Sequence, residues 1–558
     1  MTVLAAPAPD PSPPVRVHAP PLGVLGWTAL AITLLVGLPI AVVLSHVFAP
    51  GESSWSHLVH TVLPGYVLNT LGLMFGVTAG VASMGVLSAW LVTAYRFPGR
   101  GLLEWTLLLP LAMPAYVMAY AYTDWLQFAG PVQSALRAVT GWQVREYWFP
   151  DVRSLPGAIA MFSFALYPYV YLLARTAFFN QSRTALEAGR LLGYGSWGSF
   201  FRVALPLARP AVAAGVALAL METLADFGTV SYFAVQTFTT GIFRAWQSLQ
   251  DKVAAAQLAA CLLGFVALVL LAERWSRGRA RYHNTAPRSP LPPQRLRGAA
   301  AGLAFAACAA PVVLGFLLPA GILLKLALTD PEARWTARIA ALAFNSFTLA
   351  GVTAVVTVGI AIVLAYAGRL TRRPLVVFAN RAAGLGYAMP GAVIAVGILF
   401  PLGRLDNLLA DWVYAQFGVR MGLLLTGTIV ALVYAYVVRF LAIALQSMDA
   451  GLTRITPSME DAARSLGATP AGTLARVHAP MLSGSLMTAA LLVFVDVMKE
   501  LPATFALRPF NFDTLAIEAY NLTRDERLAE AAMPALLIVA VGLVPLIVMS
   551  LRMARERR

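Results

Sequence analysis

Long apolar stretches recur from one end of this chain to the other and decide its fold class. A bilayer core about 30 Å thick requires roughly 20 consecutive apolar residues in a helix. Twelve stretches of the 558-residue chain meet this length. We therefore predict an all-α polytopic membrane protein with about twelve transmembrane helices. The stretches lie near residues 23–48, 67–95, 102–125, 156–178, 207–227, 253–272, 299–327, 346–368, 376–401, 422–446, 481–500 and 532–551.

The composition fits a membrane protein and argues against a nucleic-acid partner. Hydrophobic residues make up 59% of the chain and charged residues only 12%, whereas soluble domains carry about a quarter charged residues. The net charge of +15 comes from arginines that cluster between apolar stretches, and only three lysines occur. No basic stripe alternates with stacking aromatic residues, so we predict contact with membrane lipid and none with nucleic acid. Cys261 and Cys308 lie inside apolar stretches, where we expect packing residues.

Arginine placement predicts the orientation in the membrane. Arginines follow the second, fourth, sixth, eighth and twelfth stretches, which all end on one side if both termini are cytoplasmic. An excess of arginine is typical of cytoplasmic loops. We therefore predict a multi-pass protein of a bacterial inner membrane with both termini in the cytoplasm.

The basic, proline-rich segment 273–298 separates two blocks of six stretches and is the predicted boundary between halves. The predicted order is a disordered cytoplasmic tail at 1–22, a first half at 23–272, the linker at 273–298, a second half at 299–552 and a basic tail at 553–558.

The two halves share sequence at a constant spacing. The segment E-A-G-R-L-L-G at 187–193 recurs as D-A-A-R-S-L-G at 461–467, and V-A-L-P at 203–206 recurs as V-H-A-P at 477–480, each 274 residues later. Similarity over about 60 residues at one spacing indicates duplication. Each copy has an even number of spans, so we predict two parallel six-helix repeats.

The segments 187–206 and 461–480 resemble the EAA loop of ATP-binding-cassette importer permeases, whose pattern is E-A-A-x₃-G-x₉-I-x-L-P. The resemblance implies the type I importer permease fold, in which each loop forms a coupling helix that docks on an ATPase subunit. Gly can take the positive φ that ends such a helix, and Pro is favoured in the first turn of the next. An ordinary amphipathic loop helix would not explain the repetition. The predicted ATPase-coupling residues are Glu187, Ala188, Gly189, Gly193, Leu205, Pro206, Asp461, Ala462, Ala463, Gly467 and Pro480.

The chain lacks a phosphate-binding motif of its own. G-x-x-x-x-G-K-[ST] does not occur, and none of the three lysines follows a glycine. We therefore predict no catalytic residues, no enzyme activity and no cofactor in this chain, with ATP and Mg bound by a partner. Two coupling loops predict two copies of an ATP-binding-cassette ATPase subunit.

Four acids near the ends of the fifth and eleventh stretches are candidates for the translocation pathway: Glu222, Asp226, Asp496 and Glu500. Each pair is four residues apart and lies on one helix face. Ionisable residues within a span are costly and by default mark transport routes. Carboxylates converging beside the axis would suit a hard cation, without a stable metal site. The alternative is that they are solvated, or paired with Lys499 or Arg244, at the membrane surface.

The segments around these acids resemble those of the ferric-iron importer permeases. They are E-T-L-A-D-F-G-T-V at 222–230, T-F-T-T-G-I-F-R-A-W at 237–246, D-V-M-K-E-L-P-A-T at 496–504 and R-P-F-N-F-D-T-L-A at 508–516. That resemblance implies two six-span halves in one chain, iron(III) as cargo, and a periplasmic iron-binding protein as partner. Phenolate is a good ferric ligand, although aromatic residues in spans more often serve packing. Weaker pathway candidates are therefore Tyr116, Tyr120, Tyr167, Tyr171, Tyr434 and Tyr436.

Three other functions remain open from sequence. The same permease could carry thiamine, a polyamine or another small solute; an inorganic anion would fit poorly beside four carboxylates. A secondary transporter driven by an ion gradient would also have twelve spans and repeats, but it needs no EAA loops. A membrane enzyme is disfavoured, because neither H-E-x-x-H nor G-x-S-x-G occurs.

Overall fold

The computed structural model describes residues 23–47, 49, 54–143, 146–181, 193–277, 294–371, 373–420, 422–453 and 455–555. Within these residues, eleven helices are long and apolar enough to cross a membrane, and a bent pair of helices is a twelfth candidate. The predicted all-α polytopic fold with about twelve spans is confirmed. The tail 1–22, most of the linker 273–298 and the last three residues lie outside the described residues.

The first half contains spans α1 to α6 and several short helices. The spans are α1 (Val24–Ser45), α2 (Leu63–Ala94), α3 (the bent pair Arg100–Ala112 and Ala115–Thr140), α4 (Leu155–Phe179), α5 (Trp197–Ala225) and α6 (Lys252–Arg277). Within α3 the segments are Arg100–Thr106, a 3₁₀ turn Leu109–Ala112, Ala115–Leu126 and Pro131–Thr140. The short helices are Ser54–Thr61, Ser196–Ser199, Gly228–Tyr232 and Phe238–Phe243, with π-helical turns at Phe200–Ala204 and Arg244–Ser248.

The second half repeats this order as α7 to α12. The spans are α7 (Gly298–Thr329, with a π-helical turn at Val313–Leu317), α8 (Ala337–Thr371), α9 (Gly391–Phe417), α10 (Ile429–Leu452), α11 (Ala479–Met498) and α12 (Leu528–Arg555). The short elements are Pro374–Ala383, a 3₁₀ turn Gly384–Ala388, Pro457–Ser465, Pro470–Thr473, a π-helical turn Leu474–His478, Pro502–Leu507 and Leu515–Arg524. Two short strands, β1 (Tyr95–Arg96) and β2 (Gln294–Arg295), pair in parallel between the end of α2 and the start of α7.

A break in the third and ninth predicted spans corrects the sequence prediction, which treats 102–125 and 376–401 as continuous helices. A 3₁₀ turn precedes Pro114 in one half and Pro390 in the other, and both prolines are extended, with ψ of 141° and 139°. Proline cannot supply the N–H that continues a helix, so the chain bends here. The bend in α3 is 93°. The ninth span restarts at Gly391 and runs to Phe417, beyond its predicted end.

The first span of each half packs on the other half. Helix α1 lies against α8 and α9, while α7 contacts α2, α3 and α4. The approach of α1 is close enough that a Cβ at Gly397 would overlap the backbone of Pro39. At the equivalent crossing, a Cβ at Gly315 would lie 2.6 Å from the carbonyl oxygen of Phe164. The halves therefore interlock through backbone-level contacts that small residues permit.

Candidate functional site

The C-terminal ends of α5 and α11 meet at one cavity of about 110 Å³ between the two halves. All four predicted acids line it, and we call it the charged cavity. Two basic residues, Arg439 of α10 and Lys499, also line it. If every group is ionised, the four acids exceed the two bases, so the lining carries net negative charge.

The charged cavity lies beside the middle of α4, a helix long enough to cross a membrane. Its lining includes Phe162 and Tyr169 of α4. These residues lie roughly 10 and 21 Å from the start of α4 at about 1.5 Å per residue, in a bilayer core about 30 Å thick. Of the two pairings considered from sequence, the one with Lys499 is present, at Asp496.

Asp226 and Glu500 occupy equivalent positions and cap equivalent short helices. Asp226 Oδ1 accepts hydrogen bonds from the backbone N–H groups of Thr229, at 2.8 Å, and Val230, at 3.4 Å. Glu500 accepts in the same way from Ala503, at 3.0 Å, and Thr504, at 3.1 Å. Each carboxylate thus satisfies orphan donors at the start of the helix that follows its span.

Glu500 also forms a buried ion pair that sequence reasoning missed. Arg439 Nη1 lies 3.0 Å from Glu500 Oε1, and both side chains are less than a tenth exposed. Gly391 makes room for them, because a Cβ there would lie 2.5 Å from Glu500 Oε1 and 2.6 Å from Arg439 Nη1. A lone arginine inside an otherwise apolar span was a signal that could have identified it.

Glu222 and Asp496, also equivalent, have different partners. Glu222 Oε1 accepts a hydrogen bond of 2.9 Å from the hydroxyl of Tyr387. Asp496 Oδ1 lies 2.8 Å from Lys499 Nζ, the partner considered from sequence. Within the described residues, no three His, Cys, Asp or Glu side chains are grouped to hold a metal ion. The four acids therefore share one cavity wall without forming a ready-made ligand set.

Of the six candidate tyrosines, Tyr116 is the one among the described lining residues of the charged cavity. Its ring lies 5.7 Å from that of Tyr120, which is buried. The other four are held elsewhere: Tyr167 is buried within α4, Tyr171 donates to Glu104 O, Tyr434 donates to Leu35 O, and Tyr436 hydrogen-bonds Thr504. Two tyrosines that were not predicted lie at the acids instead: Tyr169 lines the charged cavity, and Tyr387 donates a hydrogen bond to Glu222.

Four aromatic side chains pack together in the lining of a second cavity of about 550 Å³, which we call the outer vestibule. We call these four residues the aromatic barrier. The ring of Phe227 lies 4.2 Å from Phe243, 5.3 Å from Phe505 and 5.6 Å from Tyr520. The barrier is thin, because Asp226 lines the charged cavity while the next residue, Phe227, lines the outer vestibule.

The second predicted coupling loop is an exposed helix–turn segment. Helix Pro457–Ser465 ends shortly before Gly467, which has a φ of +78°. Asp461 and Ala462 are exposed, Ala463 is buried, and Leu466 is 87% exposed. Leu466 and the small residues Ala462 and Gly467 therefore lie on the surface of this segment.

Arg369, at the end of α8, fixes this helix to the membrane domain. Its Nη1 donates to Leu452 O at 2.8 Å and its Nη2 to Ile455 O at 2.7 Å, while Nε pairs with Glu460. The guanidinium group of Arg369 therefore connects three elements: α8, the end of α10 and helix Pro457–Ser465.

The first coupling loop is described only from Gly193 onward, so Glu187, Ala188 and Gly189 lie outside the described residues. Gly193 has a φ of +80°, so the left-handed conformation expected at both loop glycines is confirmed. Pro206 and Pro480 stand in the first turn of their helices, as expected, and Leu205 opens its helix. A π-helical turn precedes each proline, at Phe200–Ala204 and at Leu474–His478.

Both loops lie at the same end of the helix bundle. Helices Leu205–Ala225 and Ala479–Met498 follow the loops and are each about 30 Å long at 1.5 Å per residue. Their C-terminal ends line one cavity. Helices approaching it from opposite faces would separate the loops by about 60 Å, twice the thickness of a bilayer core. The loops therefore lie together, opposite the outer vestibule.

Comparison with known proteins adds a family match and several relatives. Residues 82–281 match the family described as binding-protein-dependent transport system inner membrane component. The chain is 26% identical over 530 residues to the Fe(3+)-transport system permease protein FbpB 2 of Haemophilus influenzae, which covers 93% of this chain and 97% of that protein.

Two shorter relatives align with part of the chain. The sulfate transport system permease protein CysT of Escherichia coli is 30% identical over 219 residues, covering 38% of this chain and 73% of that protein. The molybdenum transport system permease protein ModB of Escherichia coli is 27% identical over 222 residues, covering 38% of this chain and 91% of that protein.

Proposed function

This chain belongs to the family of inner-membrane components of binding-protein-dependent transport systems, and we propose that it forms the whole transmembrane pathway of an ATP-driven importer for ferric iron. A periplasmic binding protein delivers the iron, and two copies of a separate ATPase subunit provide the energy. ATP and Mg are bound by that ATPase. Both termini of the permease face the cytoplasm.

The observation that carries the choice of iron is the alignment with a ferric-iron permease along 97% of that protein, through both halves and the linker between them. The sulfate and molybdenum permeases are shorter relatives that match 38% of the chain. The excess of carboxylates in the charged cavity supports a cationic cargo, since hard cations prefer oxygen ligands.

Coupling follows from the position of the loops relative to the acids. Each predicted coupling loop stands at the N-terminal side of a rigid helix, and the acids stand at its C-terminal end. When the ATPase dimer closes, it draws the two loops together and tilts α5 and α11. That tilt opens the aromatic barrier to the outer vestibule, and release of ADP and phosphate restores the opposite opening.

The acids would act on the cargo as transient neighbours. Asp226 precedes Phe227 in the chain, and Glu500 caps the short helix that carries Phe505, so both acids connect the charged cavity to the aromatic barrier. Asp496 exchanges Lys499 for the arriving cation, and Glu222 keeps its hydrogen bond with Tyr387. Weak, replaceable contacts suit a transport pathway, because tight binding would stop release.

An inorganic oxyanion is a second candidate cargo. Lys499 and Arg439 in the charged cavity are the observation that favours it, and two relatives are sulfate and molybdenum permeases. Thiamine and polyamines remain alternatives of the same transport class.

The test is uptake by proteoliposomes that contain this chain, its ATPase and its binding protein. We expect accumulation of radioactive iron that requires ATP and persists when an uncoupler is added. Uptake of sulfate or molybdate with no uptake of iron would show that the cargo is an oxyanion and not iron. Uptake that collapses with the uncoupler and does not need the ATPase would overturn the importer itself.

A further inference from the structure

The outer vestibule has the opposite charge to the cavity beneath it. Its described lining includes three arginines, Arg153, Arg244 and Arg524, and a single acid, Glu526. The charged cavity, on the other side of the aromatic barrier, has four acids and two bases. A bare trivalent cation would be repelled by such an entrance.

Arg153 is held in place within the vestibule. Its Nη1 lies 3.7 Å from Glu526 Oε1, and its guanidinium lies 4.9 Å from the ring centre of Tyr232. The Nη2 atom also donates to the hydroxyl of Tyr232 at 3.3 Å. Stacking on an aromatic ring orients an arginine while leaving donor groups free for a ligand.

Arg244 and Arg524 have exposed side chains that face the same space. Within the described residues, neither donates a hydrogen bond or forms an ion pair. They come from different halves: Arg244 follows helix Phe238–Phe243, and Arg524 ends helix Leu515–Arg524. Two exposed guanidinium groups around one cavity suit an anion, because each offers a fork of donors that matches carboxylate or oxyanion geometry.

We propose that the outer vestibule is a binding site for a small oxyanion or carboxylate that accompanies the cargo, held by Arg244 and Arg524 with Arg153 beside them. A volume of about 550 Å³ is enough for such a ligand, since pockets for small molecules measure about 300–1,000 Å³. This inference rests on the proposed function and extends it: the metal arrives as an anionic complex, and the anion is recognised before the metal crosses the barrier.

The test measures binding of iron-free citrate and of inorganic phosphate to the full chain in lipid nanodiscs, by calorimetry. We expect saturable binding of at least one of the two to the unmodified chain, weakened by added salt. Arg244→Gln with Arg524→Gln should weaken it about tenfold or more, because each change removes a charged donor. In the part of the chain that the structure describes, neither side chain has a hydrogen-bond or ion-pair partner to lose, so the fold should be retained.

Arg420→Gln is the matched control, because Arg420 is exposed in the loop between α9 and α10, on the same membrane face. Citrate and phosphate binding unchanged in the double variant, or absent from the unmodified chain at about 10 mM, would overturn the site. If the double variant instead loses only its association with the binding protein, the arginines dock that protein, and the anion proposal is wrong. The binding assay contains neither iron nor ATPase, so its outcome is independent of whether iron is the cargo.

Discussion

The buried pair of Arg439 and Glu500 is the residue-scale feature with the clearest energetic consequence. Removing one partner of such a pair leaves an uncompensated charge, which costs about 3–5 kcal/mol. We expect Arg439→Gln to lower thermal stability in detergent and to reduce uptake.

The reversal experiment removes the other charge as well. Arg439→Gln with Glu500→Gln should recover most of the lost stability, because no charge is then left alone. Arg381→Gln, an exposed arginine of helix Pro374–Ala383, is the control and should leave the melting temperature unchanged. If the single and double variants melt together, the pair contributes nothing.

A variant of Glu222 distinguishes the effect of its charge from the effect of its hydrogen bond in the charged cavity. Glu222→Gln keeps an oxygen for the Tyr387 hydroxyl but loses the charge. We expect iron uptake to fall by about tenfold, while assembly with the ATPase is unchanged. Glu332→Gln, at an exposed position between α7 and α8, should behave as the unmodified chain. Normal uptake by the Glu222 variant would remove this acid from the pathway.

At the residue scale, sequence identified the acids but not how they are used. The repeat made the two pairs equivalent, but the four-residue spacing did not place each pair on one helix face, because α5 ends at Ala225 and α11 ends at Met498. Their partners were less visible, because Tyr387 and Arg439 lie far away in sequence and meet the acids only after both halves fold together. Sequence could flag Arg439 as an intramembrane charge, but nothing in it distinguishes Tyr387 or Tyr169 from packing aromatics.

At the scale of elements, the two loop glycines have a left-handed backbone that other residues enter at a cost of about 1–2 kcal/mol. Gly193→Ala with Gly467→Ala should therefore distort both coupling loops. We expect ATPase activity that no longer responds to the loaded binding protein.

The control for the loop glycines is Gly484→Ala. Gly484 lies on an exposed face of α11, where an added Cβ meets nothing within 4 Å. This change should preserve coupling and can stabilise the helix, because alanine is the better helix former. Equal coupling in the loop variant and the control would show that the loop conformation is not needed.

Arg369 tests whether the second loop must be fixed to the membrane helices. Arg369→Gln removes the contacts to Leu452, Ile455 and Glu460. We expect ATP hydrolysis to continue while transport falls, because motion of the loop helix no longer reaches α8. Transport and hydrolysis that fall in the same proportion would indicate loss of assembly instead.

The sequence predicted the helices whose length and hydrophobicity match a membrane span. It did not predict where prolines break those helices. The A-M-P segments at 112–114 and 388–390 were visible as a repeat, yet their consequence, a broken span in both halves, was not predicted. Length and hydropathy cannot show a bend inside an apolar segment. The interlocking of α1 and α7 with the opposite halves was equally hidden, since it depends on tertiary contacts.

At the scale of the whole molecule, the two halves enclose the charged cavity, with the two loops at one end of the helices and the outer vestibule at the other. Import by the proposed mechanism requires both loops to lie on the cytoplasmic face and the outer vestibule to lie on the opposite face. Hydrophobicity and repeat phase predicted that both halves insert in the same direction. The charge reversal across the aromatic barrier was not predictable, because its residues come from distant segments.

The most direct measurement is the sidedness of three single cysteines in a background with Cys261→Ala and Cys308→Ala. Gly195→Cys and Ser465→Cys mark the two loops, and Ser248→Cys marks the outer vestibule; all three positions are exposed. A membrane-impermeant maleimide should label both loop cysteines in inside-out vesicles only, and the vestibule cysteine in right-side-out vesicles only. Labelling of the two loop cysteines from opposite faces would contradict the account.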